Sequence, residues 1–355
     1  MKPEIIEKEF AQAVDLTEQD GLAPFEYLRI TDRTQVKQPV PVITINDEII
    51  STADNITTIS GASKSGKSAF TGILIAGAIS RDGIIDGLDG VRVEPNGEGK
   101  AVLHFDTEQA AHKHQRTLRS IIARTGLDHC PEYLLSYNIR QLDVNECAHV
   151  TRKICKAAKD KFNGIHLVVI DGIADYIRDV NEPNQSNAII KFIEELAIEF
   201  NCPVIIIVHT NPGSDKERGH LGSQCQRKSE SVLHVKTEGE VSFVEPKLLR
   251  MAGKGNIPTI QFAYDREKGY HVYCGLRKHD EDKDKRRIEQ VRIICDEVFG
   301  GQAAFQYKDA LEAIMRVTGK AIATAKGLFT DMKVHEMIHK HEDERWRNQK
   351  PQTEV

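Results

Sequence analysis

The chain has 355 residues, enough for one large domain and a smaller one. A net charge of −5 excludes a globally basic nucleic-acid binder, so any nucleic-acid site must be a local patch. No apolar run approaches a membrane span, and seven scattered cysteines with no C-x-x-C pair fit a reducing, cytoplasmic setting without disulfides or structural zinc.

Residues 1–38 read as an N-terminal helical appendage without the apolar core of a signal peptide. Ile5, Ile6, Phe10, Ala13 and Val14 recur at helical spacing, and a second short helix is predicted over 24–30. From 39 to 276, apolar runs alternate with helical patterns, the signature of an α/β domain with a largely parallel sheet. Strands are predicted over 56–60, 101–106, 133–137, 166–171, 204–209, 231–236, 248–251 and 259–264. Helices are predicted over 67–80, 109–126, 143–160 and 186–200, with a loop or β-excursion over 80–100. Residues 277–287 are nearly all charged and read as a linker. Residues 288–355 turn helical again, with Ile288, Val291, Ile294, Cys295 and Val298 on one stripe. Helices over 307–315 and 321–332, around a tight turn at 317–320, predict a helix-turn-helix or its winged form. His335, His339 and His341 read as a solvated helix face, because no Cys or carboxylate cluster completes a metal site.

The chemistry concentrates at strand ends. Gly61, Ala62, Ser63, Lys64, Ser65, Gly66, Lys67 and Ser68 match G-x-x-x-x-G-K-[ST] between a β-branched strand and an apolar helix that opens with Ala69. Such a loop turns backbone N–H groups onto a phosphate; Lys67 would reach the β/γ-phosphates and Ser68 would ligate Mg²⁺. Four apolar residues lead into Asp171, a second candidate Mg²⁺ ligand. Glu108, just past a strand end, suits activation of an attacking water, although a helix-start glutamate looks the same. His209 ends a strand and suits a hydrogen bond to the γ-phosphate, or a simple cap. Arg250, in a basic Gly-containing stretch, is a candidate arginine finger for a neighbouring subunit, with Lys247, Lys254 and Arg218 as rivals.

Together these motifs resemble the RecA-like ATPases of the plasmid RepA type, hexameric replicative helicases related to the DnaB and KaiC group. The matching pieces are residues 61–68, 106–109, 168–172, 206–212 and 218–223, within a resemblance that spans 40–275. It implies a RecA-like P-loop core with a mostly parallel sheet, ATP and Mg²⁺ as cofactors, and a homo-hexameric ring around single-stranded DNA. It also implies Glu108 as the water-activating carboxylate, His209 as the γ-phosphate sensor, and a mobile loop over 215–227. With Lys228, that loop offers Lys216, Arg218, His220 and Arg227 to DNA phosphates, although a solvated surface loop would look similar. The chain departs from the pattern twice: Leu248 stands where relatives carry a Lys before the finger Arg, and about 70 residues extend the C-terminus. A helix-turn-helix there would suit a duplex origin or a replication or mobilisation protein.

The expectation is a ring ATPase acting on single-stranded DNA, a replicative helicase of a plasmid, phage or mobile element. The competing reading is a RecA-like DNA-binding or recombination accessory protein that uses ATP as an assembly switch. A small-molecule kinase fits least, because residues 218–227 make a poor arginine-rich lid.

Overall fold

The computed structural model describes residues 22–36, 38–83, 90–211, 213–277, 281–300, 303–341 and 343–348. The chain divides into two units, 1–40 and 41–355. The first shows a short 3₁₀ helix, Ala23–Leu28, where a helix over 24–30 is predicted. The amphipathic helix expected at Ile5 to Val14 lies outside the described residues.

The second unit opens with β1 (Pro41–Ile45) and β2 (Glu48–Thr52), which lead into β3 (Ile56–Gly61) and α1 (Lys67–Ile79). After them come β4 (Val91–Val93), β5 (Ala101–Asp106), α2 (Ala111–Thr125), β6 (Leu134–Asn138), α3 (Val144–Phe162) and β7 (Ile165–Asp171). Next are α4 (Pro183–Phe200), β8 (Val204–His209), α5 (Gly219–Lys228), β9 (Ser231–Glu238), β10 (Val241–Leu249), β11 (Thr259–Asp265) and β12 (Tyr270–Arg277). Nine strands form one sheet in the order β12-β11-β10-β9-β3-β8-β7-β5-β6. The six strands from β9 to β6 run parallel, and β10, β11 and β12 extend the sheet as an antiparallel edge. This is the mostly parallel α/β architecture predicted from the alternating pattern.

The central strands read as unbroken apolar runs because helices cover both faces. In β8, Ile205 and Ile207 face the core beneath α1, while Val204, Ile206 and Val208 face α4. Helix α1 is buried along nearly its whole length, so the phosphate loop before it is anchored to the middle of the molecule. Strands β1, β2 and β4 form a separate three-stranded sheet; of these only β4 falls within 80–100, where a loop or β-excursion is expected, and β1 and β2 were not anticipated.

The strand expected over 248–251 is corrected to Val241–Leu249. Pro246 hid it, since proline is rare inside sheets; here it borders a register shift between Pro246 and Leu248, where a bulge tolerates the missing N–H. Strand β12 was not anticipated; it pairs with β11 over a register from Thr259–Arg277 to Asp265–Tyr270.

The C-terminal part consists of α6 (Glu281–Phe299), α7 (Tyr307–Thr318) and α8 (Ile322–Val334), followed by β13 (Ile338–Lys340) and β14 (Trp346–Asn348). The charged run read as a linker enters a helix at Glu281. Val291, Cys295, Phe299, Leu311, Ile314 and Phe329 build a core of their own. Gly319, in the left-handed region, ends α7 and makes the tight turn into α8. The β13–β14 hairpin, with a bridge from Phe305 to Trp346, gives the winged form. The histidine reading is corrected: α8 stops at Val334, His335 caps it, and His339 lies on β13, so the three share no helix face.

Candidate functional site

The loop between β3 and α1 can form only with its two glycines. A Cβ on Gly61 would lie 2.2 Å from the Val235 carbonyl oxygen. Gly66, at φ +96°, leaves no room beside Ser242 Oγ, 2.7 Å from a Cβ built there. The N–H groups of Lys67, Ser68 and Ala69 precede the first bond of α1, from Phe70 N to Gly66 O at 3.0 Å, so they are donors without a helical acceptor. Lys67 is buried, and its Nζ donates to the Gly61 and Ala62 carbonyls at 3.0 and 2.7 Å. Burial lowers its pKa, opposed by Glu108 and Asp171. Ser65 Oγ is buried without a partner among the described residues. A triphosphate fits such a cradle: it would satisfy Ser65 and the orphan amides, and draw Lys67 off the loop carbonyls.

Asp171 ends β7 and is 5% exposed. Its Oδ2 accepts from Ser68 Oγ at 2.7 Å. Desolvation, with Asp106 and Glu108 nearby, pushes its pKa up to about 6 against the Ser68 bond and Lys67. Two oxygen donors side by side in a carboxylate-rich pocket fit a hard cation such as Mg²⁺. His104 and Asp106 also bring ligand-type atoms within 4.8 Å of Asp171. Both are committed elsewhere, His104 to Ser136 Oγ at 2.9 Å and Asp106 to the turn described next.

Glu108 is presented by a turn rather than by a helix. Asp106 Oδ1 accepts from the Glu108 and Gln109 amides at 3.0 and 2.8 Å, and Asp106 Oδ2 accepts from Gln109 Nε2 at 2.6 Å. Helix α2 therefore starts at Ala111, two residues later than predicted. Glu108 Oε1 accepts from His209 Nε2 at 2.9 Å, and His209 Nδ1 lies 3.3 Å from Lys67 Nζ. The tautomer with its proton on Nε2 satisfies both contacts. The His209 bond, more than Lys67, holds the Glu108 carboxyl below its ordinary range despite burial. Lys67, His209 and Glu108 thus form one chain across the carboxyl ends of β3, β8 and β5, with Asp171 of β7 beside it.

Gly172 permits this closeness. A Cβ there would lie 2.1 Å from Thr107 Oγ1 and 3.1 Å from Glu108 Cγ. Thr107 Oγ1 donates to Asp175 Oδ2 at 2.6 Å, and desolvation raises the pKa of Asp175. A cleft of about 600 Å³ joins the phosphate loop to Glu108, Asp171 and His209, and Lys113, Arg140 and His271 also line it. Sequence reasoning missed Asp106, Asp175, Arg140, Lys113 and His271. For Arg140 a signal existed, because it follows a predicted strand end.

Arg250 is not brought to this site. Leu249 pairs with Ser231, which pairs with Thr57, near the start of β3. Gly61 is four residues further on, about 13 Å along the strand. The Arg250 guanidinium donates to the Arg227 carbonyl, and its amide donates to Glu230 O at 3.0 Å. Lys247 is ion-paired to the buried Glu217 at 2.7 Å, and the side chain of Lys254 lies outside the described residues.

The expected mobile loop over 215–227 is corrected. Thr210 and Glu217 form a bridge that closes the turn, and α5 begins at Gly219 because Leu221 and Cys225 share a buried face. The four basic residues separate. Lys216 and Arg218 are exposed near the carboxyl end of β8, whereas Arg227 and Lys228 end α5, about 15 Å away along the helix. Lys228 is paired to Glu194 at 3.0 Å.

No curated protein matches the chain. A family model described as AAA domain matches residues 28–215, just over half of the chain and including the phosphate loop, Glu108, Asp171 and His209. The chain belongs to this AAA domain family, a P-loop family of nucleotide-hydrolysing ATPases.

Proposed function

We propose that this protein is a Mg²⁺-dependent ATPase that assembles as a ring on single-stranded DNA and works as a replicative helicase of the RepA type. The observation that carries the hydrolytic reading is the Lys67–His209–Glu108 chain beside Asp171. Glu108 Oε1 is engaged by His209, and Oε2 accepts from no described group, so that oxygen is the one to take a proton from water. Lys67 binds the phosphates, and Ser68 with Asp171 would hold Mg²⁺, which neutralises charge developing on the phosphoryl oxygens. His209 touches both Lys67 and Glu108, so a phosphate that shifts Lys67 changes the hold on Glu108.

The ring reading rests on Arg250. It is at the amino end of the sheet, too far to serve its own phosphate loop, and its place beyond β10 suits a neighbour's nucleotide. The test combines three readouts with Mg²⁺ and ATP: hydrolysis with and without single-stranded DNA, mass by light scattering, and separation of a forked duplex. Stimulated hydrolysis, a ring-sized mass and ATP-dependent separation are expected. Hydrolysis and assembly without strand separation would favour the assembly-switch reading; a monomer under every condition would contradict both.

A further inference from the structure

We propose that Arg140 is a further catalytic residue, a cationic group supplied in cis to the terminal phosphate of the bound nucleotide. The proposal rests on the ATPase reading above and deepens it.

In open parallel sheets the reactive groups gather at the carboxyl ends of the strands. From β3 outward, those ends carry the phosphate loop, His209, Asp171 and Glu108. The next strand is β6, at the sheet edge, and its end leads within two residues to Arg140. Arg140 lines the same cleft as the phosphate loop, Glu108 and Asp171. It also lines an adjoining cleft of about 490 Å³ with Glu108, Thr107 and Asp175, so it borders the water-activating carboxylate in both.

The backbone on either side of it is tied down. Ile139, the residue before it, is buried and donates its amide to the Asp106 carbonyl at 2.9 Å, which ties Arg140 to the turn that presents Glu108. Leu142 N closes a turn onto Ile139 O at 3.0 Å, and Asp143 then caps α3 through a capping box. The head group is uncommitted. Among the described residues it makes no hydrogen bond or ion pair, although two carboxylates share its cleft: Glu108 is held by His209, and Asp175 by Thr107. An exposed guanidinium that lines the cleft of the phosphate loop, on a backbone tied down on both sides and without a protein partner among the described residues, is suited to phosphoryl oxygens.

In the reaction, the water oxygen bonds to the γ-phosphorus while its proton passes to Glu108. The bond from that phosphorus to the bridging oxygen breaks, and its electron pair leaves on ADP. Charge shifts onto oxygens within the cleft that Lys67 and Arg140 both line.

The test is steady-state ATP hydrolysis by the full chain with Arg140→Ala and Arg140→Lys, alongside binding of a fluorescent ATP analogue. We expect kcat of the alanine variant to fall about 100-fold with analogue affinity changed less than about threefold, and partial recovery with lysine or with added guanidinium. A second arm mixes Arg140→Ala with Lys67→Ala subunits. A cis group gives no recovery of activity, whereas recovery would place Arg140 in trans and overturn the proposal. An alanine variant with wild-type kcat, or one that loses only affinity, also overturns it. If the wild-type chain itself hydrolyses no ATP, the ATPase reading fails and this proposal falls with it.

Discussion

His104 and His114 lie buried beneath the turn that carries Glu108, joined through Ser136 Oγ at 2.9 and 2.6 Å. Desolvation, then His114, lowers the His104 pKa to about 3; desolvation lowers that of His114 too. Above pH 6.5 neither the folded nor the unfolded chain holds a proton on His104. Between 6.5 and about 3 the unfolded chain takes one up and the folded chain does not, so stability falls with falling pH. The expected slope is about 1.4 kcal/mol per pH unit for one such histidine, with His114 adding in the same direction. Urea midpoints between pH 7.5 and 4.5 should show this decline, and His104→Asn should flatten it; an unchanged slope would contradict the assignment. At this scale the sequence revealed most of the site. Gly66, Lys67, Ser68 and Asp171 announce themselves through spacing next to strands. Asp106 and Asp175 did not, because a carboxylate that shapes a turn and one that points into a cleft look alike in a sequence.

At the scale of elements, the site depends on two strand ends coming closer than a side chain would permit. Gly172, at φ +102°, stands between Thr107 and Glu108. Gly172→Ala would force the Glu108 turn away from β7. We expect a loss of about 1–3 kcal/mol in a urea melt, from backbone strain and collision, together with slower hydrolysis. Wild-type values for both would show that the turn has slack. The central strands were legible because burial on both faces leaves unbroken apolar runs, as in Val204–His209. Val241–Leu249 was displaced by its bulge and Pro246, and Pro41–Ile45 and Glu48–Thr52 are short strands whose few apolar residues, Ile43, Ile45 and Ile50 among them, are interrupted in sequence by Asn46, Asp47 and Glu48 although they are buried in the core. The helix Gly219–Lys228 was missed because only two buried side chains, Leu221 and Cys225, mark its inner face beside the buried Gly222, too few to show a period.

For the whole molecule, the issue is where each nucleotide site is completed. Lys67→Ala subunits would lose their own site but still offer Arg250, and Arg250→Ala subunits would keep the site but offer no finger. Mixing the two inactive variants equally should restore about a quarter of the wild-type rate if neighbours complete one another in a ring. No recovery would place every essential group in one subunit. Long-range pairing of this kind leaves no local pattern in a sequence, and the winged hairpin after Val334 was likewise only one of two forms its helices allowed. The most direct test of the central claim is ATP hydrolysis by Glu108→Gln with Mg²⁺, with nucleotide binding measured in parallel. If Glu108 activates the water, binding persists while turnover falls by about 10²- to 10⁴-fold. A Glu108→Gln protein that hydrolyses ATP at the wild-type rate would contradict it.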